Sequence, residues 1–317
     1  MVRRAFLLLV PGLLFAAACG GDDDGTPAVA VEVNTPIVSA TPRDPTPDPS
    51  IQIEPPELVL SGTSVYQGGA LLVSVVGSVT GGSIRLFGEE HGLLQGARSK
   101  FSFAGVPVEQ EPGPYTLDVE FTLTNGTTGA LHEEITVLAT DWTVDALTFD
   151  PGTEQRFLDA QVISDEESQL RQVYAIDSDI KLWDGPWLLP IDGPLTAHFG
   201  EQRSINGAPP TGHHGGTDFG AEAGTPVGAS NHGIVVMARQ MALRGNFVVI
   251  DHGGGVLSGY GHLSQFSVAE GQVVEPGDII GLVGSTGLST GAHLHWEMSV
   301  EGVLVDPLRF FDGTNGF

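Results

Sequence analysis

Gly291-Ala-His-Leu-His-Trp-Glu297 is the stretch on which the fold and the chemistry both turn. Residues two apart on a β-strand point to the same face. Read as a strand, the stretch puts His293, His295 and Glu297 on one face, and two histidines so placed can serve one site. Two segments upstream carry further histidines: His213-His-Gly-Gly-Thr-Asp-Phe219 and Tyr260-Gly-His-Leu-Ser264. Of the ten histidines, eight fall after residue 190, and only His91 and His132 precede it. Such clustering suggests a metal or acid–base site in the C-terminal part.

In the first of these segments His214 and Asp218 share a face if the chain is extended. Four residues then span about 13 Å, too far for two ligands that each lie about 2 Å from one metal. A bend at Gly215-Gly216 would let the two side chains converge. Zinc accepts nitrogen and oxygen donors of this kind, and three protein ligands plus water make a catalytic rather than a structural site. A single cysteine, Cys19, excludes a multi-thiolate site, and no His-Glu-x-x-His occurs. A lone histidine in a β-rich domain is more often a hydrogen-bonded structural residue; His198, His213, His232 and His252 are read in that way. Glu297 reads as a support for the site rather than as its base.

Composition agrees with a β-rich reading. Gly 44 and Pro 21 in 317 residues argue for turn-rich β structure rather than helices. With 13 basic against 39 acidic residues the net charge is -26, the wrong sign for a nucleic-acid binder. The C-terminal region, 188–312, is Gly-rich, with strand candidates at 234–239, 246–251 and 278–283. Residues 141–187 read as a connector holding one helix, 165–174. Before it, 58–140 shows short strands between glycine turns, at 70–76, 83–87, 100–104, 115–123 and 131–140. That spacing suggests a small antiparallel sandwich of immunoglobulin-like type, a spacer or a wall-binding module.

Residues 1–18 read as a signal peptide: Arg3 and Arg4, an apolar run too short to span a bilayer, then Ala16-Ala17-Ala18. Small residues directly before the lone cysteine resemble a bacterial lipobox, which implies cleavage and lipidation at Cys19. Arg-Arg-x-Phe-Leu also resembles a twin-arginine signal. Residues 19–57 would then be a lipid anchor and a Pro/Thr-rich disordered tether.

The order H-x-G-x-D, Y-x-H-L and Gly281-Leu-Val-Gly-Ser-Thr-Gly-Leu-Ser-Thr-Gly-Ala-His-Leu-His-Trp-Glu297 resembles the lysostaphin/LytM type of zinc metalloendopeptidase. Phe199-Gly-Glu-Gln-Arg203 and Val303-Leu-Val-Asp-Pro307 look like the same family. Departures are small: Ala292 where Pro is common, and Gly261 where Ala is common. The resemblance implies an all-β chain ending in a lysostaphin-type β-sheet hybrid (duplicated hybrid motif) catalytic domain. It implies zinc (Zn2+) on His214, Asp218 and His295, with His262 and His293 as the catalytic pair. With the signal and anchor, it implies an exported membrane-anchored lipoprotein facing the cell wall, with peptidoglycan as substrate. A non-catalytic LytM-like regulator of a wall amidase, or a wall-binding surface lipoprotein, would be the alternatives. All five site positions being filled favours catalysis.

Overall fold

The computed structural model describes residues 53–311. The signal peptide and Cys19 lie outside the described residues, as does the tether up to residue 52. No described helix is long and apolar enough to cross a membrane.

The described residues begin with nine strands: β1 (Glu57–Leu60), β2 (Ser64–Tyr66), β3 (Ala70–Val76), β4 (Val79–Leu86), β5 (Glu89–Gly92), β6 (Leu94–Gln95), β7 (Ser99–Gly105), β8 (Gly113–Leu123) and β9 (Thr128–Leu138). They form two sheets, ordered β1-β3-β7-β6 and β2-β9-β8-β4-β5. Every pairing is antiparallel except β2 with β9. The alternation legible in 115–123 is the cause: Leu117, Val119 and Phe121 turn inward on β8. Leu117 and Val119 meet Ile84, Ile135 and Val137 of the same sheet and Leu71, Val73 and Val75 of the other.

The connector carries more structure than one helix. It folds into β10 (Val144–Leu147), α1 (Pro151–Phe157) and α2 (Ala160–Tyr174). Helix α2 starts five residues before its expected place because Asp159 caps it, its carboxylate accepting from the N–H groups of Gln161 and Val162. Strand β10 pairs in parallel with β12 of the C-terminal part.

That part contains β11 (Leu195–Ala197), β12 (Gln202–Ile205), β13 (Thr217–Gly220), β14 (Pro226–Gly228), β15 (Gly233–Gln240), β16 (Asn246–Asp251) and β17 (Val256–Leu263). It continues with β18 (Gln265–Phe266), β19 (Val273–Val274), β20 (Ile279–Leu282), β21 (His293–Val300), β22 (Val303–Val305) and α3 (Pro307–Phe311). The main sheet runs β11-β13-β21-β17-β16-β15-β19, with β22 also on β21. A second sheet, β14-β20-β18, accompanies it. Val227, Val235, Val248, Tyr260, Ile280 and Leu294 from the two sheets share one core. Phe101 and Phe103 of the sandwich belong to that same core, and the Phe103 and Trp183 rings are 5.7 Å apart.

Candidate metal centre

The expected strand is β21, and it carries its two histidines and Glu297 on one face as read. Asp218 on β13 is paired in register with His295, directly across the ladder. His214 stands just before β13, and its Nδ1–H donates to the carbonyl of His198 at 2.9 Å. The Nε2–H of His295 donates to Glu297 Oε1 at 2.8 Å. Each ring thus turns its other nitrogen toward Asp218.

Three donors converge there. Asp218 Oδ1 is 2.7 Å from His295 Nδ1 and 3.1 Å from His214 Nε2, and the two nitrogens are 3.0 Å apart. All three residues are buried. With their other ring protons committed, two lone pairs and a carboxylate oxygen face one another, an arrangement that needs a cation. The separations approach the roughly 3.3 Å edge of a tetrahedron with bonds of about 2 Å. Protonation tells the same story. Burial alone would lower His295, but its hydrogen bonds to Asp218 and Glu297 prevail and raise it to about 9. Burial would raise Asp218, but the two histidines hold it far below the usual carboxylate range. The cluster favours positive charge at this point, and its two nitrogens and one oxygen fit zinc.

The chain bends at Gly216, as expected, and His214 and Asp218 converge; the glycine also makes room for a neighbour. A Cβ on Gly216 would lie 2.8 Å from His295 Cε1 and 2.4 Å from the Trp296 carbonyl. Glycine is there so that the His295 ring can pass over the backbone.

His262, next to last on β17, has φ 60, a left-handed conformation that residues with side chains rarely adopt. Two bonds hold it: its N–H donates to the Arg244 carbonyl at 2.7 Å, and its Nδ1–H to the Thr286 carbonyl at 2.8 Å. Its ring packs 4.6 Å from that of His293. Burial, then the neighbouring His295 and His293, lower His262 to about 3, so it is a neutral base with Nε2 available. His293 is less buried; its Nδ1–H donates to the Gly291 carbonyl at 2.9 Å, and its Nε2 lies 3.8 Å from Asp218 Oδ2.

These five residues line a cleft of about 550 Å³. Leu147, Phe149, Ile205, Leu288 and Ala292 add apolar lining. Three of the remaining histidines make structural hydrogen bonds. His213 donates to the Gly200 carbonyl, His232 to that of Leu182, and His252 to that of His232. Arg203, quoted earlier within a family-like phrase, was given no role there; it pairs with Asp145 of β10 and stands 3.7 Å from Asp218 Oδ2. Glu297 is fully buried and is bound by Arg244 and the Tyr174 hydroxyl as well as by His295.

A buried His–Asp–His cluster lining a cleft, with two more histidines beside it, is the kind of site that a metal-dependent hydrolase uses. The chain belongs to peptidase family M23, whose family model matches residues 212–307. It is 48% identical over 96 residues to the peptidoglycan DD-endopeptidase ShyA of Vibrio cholerae, covering 30% of this chain and 22% of that one. A solved Pseudomonas aeruginosa structure assigned to peptidase M23 is 27% identical, with TM-score 0.56, over 78% of this chain and 94% of that one. The catalytic domain of lysostaphin from Staphylococcus simulans is 34% identical over 38% of this chain and 93% of that one, with TM-score 0.35. The chain thus spans about a fifth of the curated relative's length. Zinc is the metal of the family, and the donor set present suits it.

Proposed function

We propose that the protein is a zinc endopeptidase that hydrolyses peptide bonds in the stem or cross-bridge peptides of cell-wall peptidoglycan. The observation that carries this reading is the convergence of His214, Asp218 and His295 beneath a cleft edged by His262 and His293. The curated relative that matches the site region is named for peptidoglycan cleavage, which supports the substrate. His214, Asp218 and His295 would hold the zinc, which when bound would supply an activated water near neutral pH and polarisation of the scissile carbonyl.

The residues do the rest. His262, neutral and fixed through Nδ1, takes a proton at Nε2 from the attacking water. His262 then returns that proton to the leaving amine, and His293, its Nδ1 tied to Gly291, offers Nε2 at the cleft to orient the attacking water. The apolar lining of Leu147, Phe149 and Ile205 excludes water from an extended peptide. The N-terminal sequence supports export and a lipid anchor at Cys19, placing the folded part against the wall.

Mass spectrometry of fragments released from isolated peptidoglycan by the purified mature chain tests the reading. Zinc-dependent appearance of new peptide termini is expected. Intact wall in the presence of fully zinc-loaded protein would favour the non-catalytic regulator instead.

A further inference from the structure

Helix α2 precedes the family match entirely, yet its inner face reaches the site. Glu166, Leu170 and Tyr174 recur every four residues, so they share one face, and all three are buried. Glu166 is 2% exposed, a depth at which a carboxylate requires partners. It has three. Its oxygens accept from the backbone N–H of Leu243 at 2.5 Å and of Arg244 at 3.1 Å, and Nη1 of Arg244 donates to it at 3.1 Å. Arg244 in turn donates through Nε to Glu297 Oε1 at 2.7 Å. Tyr174 donates its hydroxyl to the other oxygen, Glu297 Oε2, at 2.5 Å. Gly259 leaves the room for that hydroxyl, since a Cβ there would meet it at 2.6 Å.

Two paths therefore leave α2. Through Glu297, both residues fix the ring of His295, whose Nε2–H donates to the same Oε1. Through the backbone at 243–244, Glu166 fixes the carbonyl of Arg244 that accepts from the N–H of His262. We propose that Glu166 and Tyr174 are positioning residues of the peptidase site, holding the zinc ligand His295 and the base His262 in their working orientations. The proposal rests on the zinc-peptidase reading above. Partners that orient a metal-bound histidine are commonly worth about 10- to 100-fold in metal affinity or activity.

The test uses the full mature chain, with Tyr174→Phe, Glu166→Gln and, as control, Glu167→Gln on the exposed side of the same helix. Zinc release to a chelator and Tm with and without zinc are measured for each. Tyr174→Phe keeps the ring but leaves Glu297 Oε2 without that donor, so its metal-free Tm should fall modestly. Its zinc release should quicken by about 10- to 100-fold, and its gain in Tm on adding zinc should shrink. Glu166→Gln should do the same and also lower kcat with little change in KM. Glu167→Gln should leave every reading at the wild-type value. Wild-type zinc release in both Tyr174→Phe and Glu166→Gln would overturn the proposal, as would equal Tm losses with and without zinc. A wild-type chain that takes up no zinc would fail before any variant is compared, and would overturn the underlying reading itself.

Discussion

Asp218 Oδ1 stands 2.7 Å from His295 Nδ1 across the β13–β21 ladder, where the two residues are directly paired. His293 shares that strand face but lies 3.8 Å from the other carboxylate oxygen, and its Nδ1 is tied to Gly291. The two histidines of His-x-His should therefore fail differently. His295→Ala removes a donor and should leave the protein zinc-poor and less heat-stable. His293→Ala and His262→Ala should keep near-full zinc and lose about 10²–10⁴ in kcat. Zinc content and turnover of peptidoglycan, measured on all three, decide the matter. Zinc lost from His293→Ala but kept by His295→Ala would reverse the roles.

The convergence of three electron-pair donors predicts a stability effect of the metal. Chelation should lower Tm and abolish peptidase activity, and added zinc should restore both. In His214→Ala or Asp218→Ala about one zinc per chain should be lost and Tm should become insensitive to chelator. Full zinc in both purified variants would remove the assignment.

His252 offers a pH prediction away from the centre. It is fully buried, donating to the His232 carbonyl and lying 2.7 Å from Ser258 Oγ. Burial lowers it to about 4, from an unfolded value of about 6.5. The unfolded chain then binds the extra proton first. Stability from this group is complete above pH 6.5 and is lost as pH falls toward 4, at about 1.4 kcal/mol per unit. Denaturant titrations at pH 7, 5.5 and 4.5 should show this slope in the wild type and a shallower one in His252→Gln. Parallel slopes would show that His252 is not responsible.

Gly105 ends β7 where the sandwich meets β21 and β22. A Cβ there would stand 2.7 Å from the Val303 side chain and 2.8 Å from the Val300 carbonyl. Gly105→Ala should destabilise by about 1–3 kcal/mol through overpacking, although it is far in sequence from every site residue. An unchanged Tm would mean that this junction can give way.

If Cys19 is the lipidated first residue of the mature chain, Cys19→Ser should abolish partitioning into detergent. Release of the wild-type chain as a soluble protein with an unmodified N-terminus would count against the anchor.

The five residues that gather at the cleft could be picked out because each lies in a short motif whose spacing carries chemistry. His293 and His295 are two apart on one strand, and a glycine pair stands beside His214. The strands at 70–76, 115–123 and 246–251 were legible from alternation or from short β-branched and apolar runs. The support from α2 was not. Asp165-Glu-Glu167 reads as a solvated acidic turn, and nothing local marks the middle carboxylate as buried. Its partners, Leu243 and Arg244, are more than seventy residues away, in a segment without apolar periodicity. Strand β10 was hidden for a similar reason. Its partner is β12, and a pairing between four-residue strands so far apart leaves no periodic trace in either. The bend at 215–216 was legible from the glycine pair, but the second demand on Gly216, from the His295 ring, was not.

Phe103 lies against Trp183, and Trp183 against Trp187 at 6.1 Å, in a core to which both β regions contribute. This has a practical meaning for anyone who treats the C-terminal region as an exchangeable cassette. Excised at residue 188, it would lose both tryptophans, the helix behind His295 and the cover over part of its own interior. A chimera should therefore be cut upstream of residue 53, which leaves the described residues and their shared core intact.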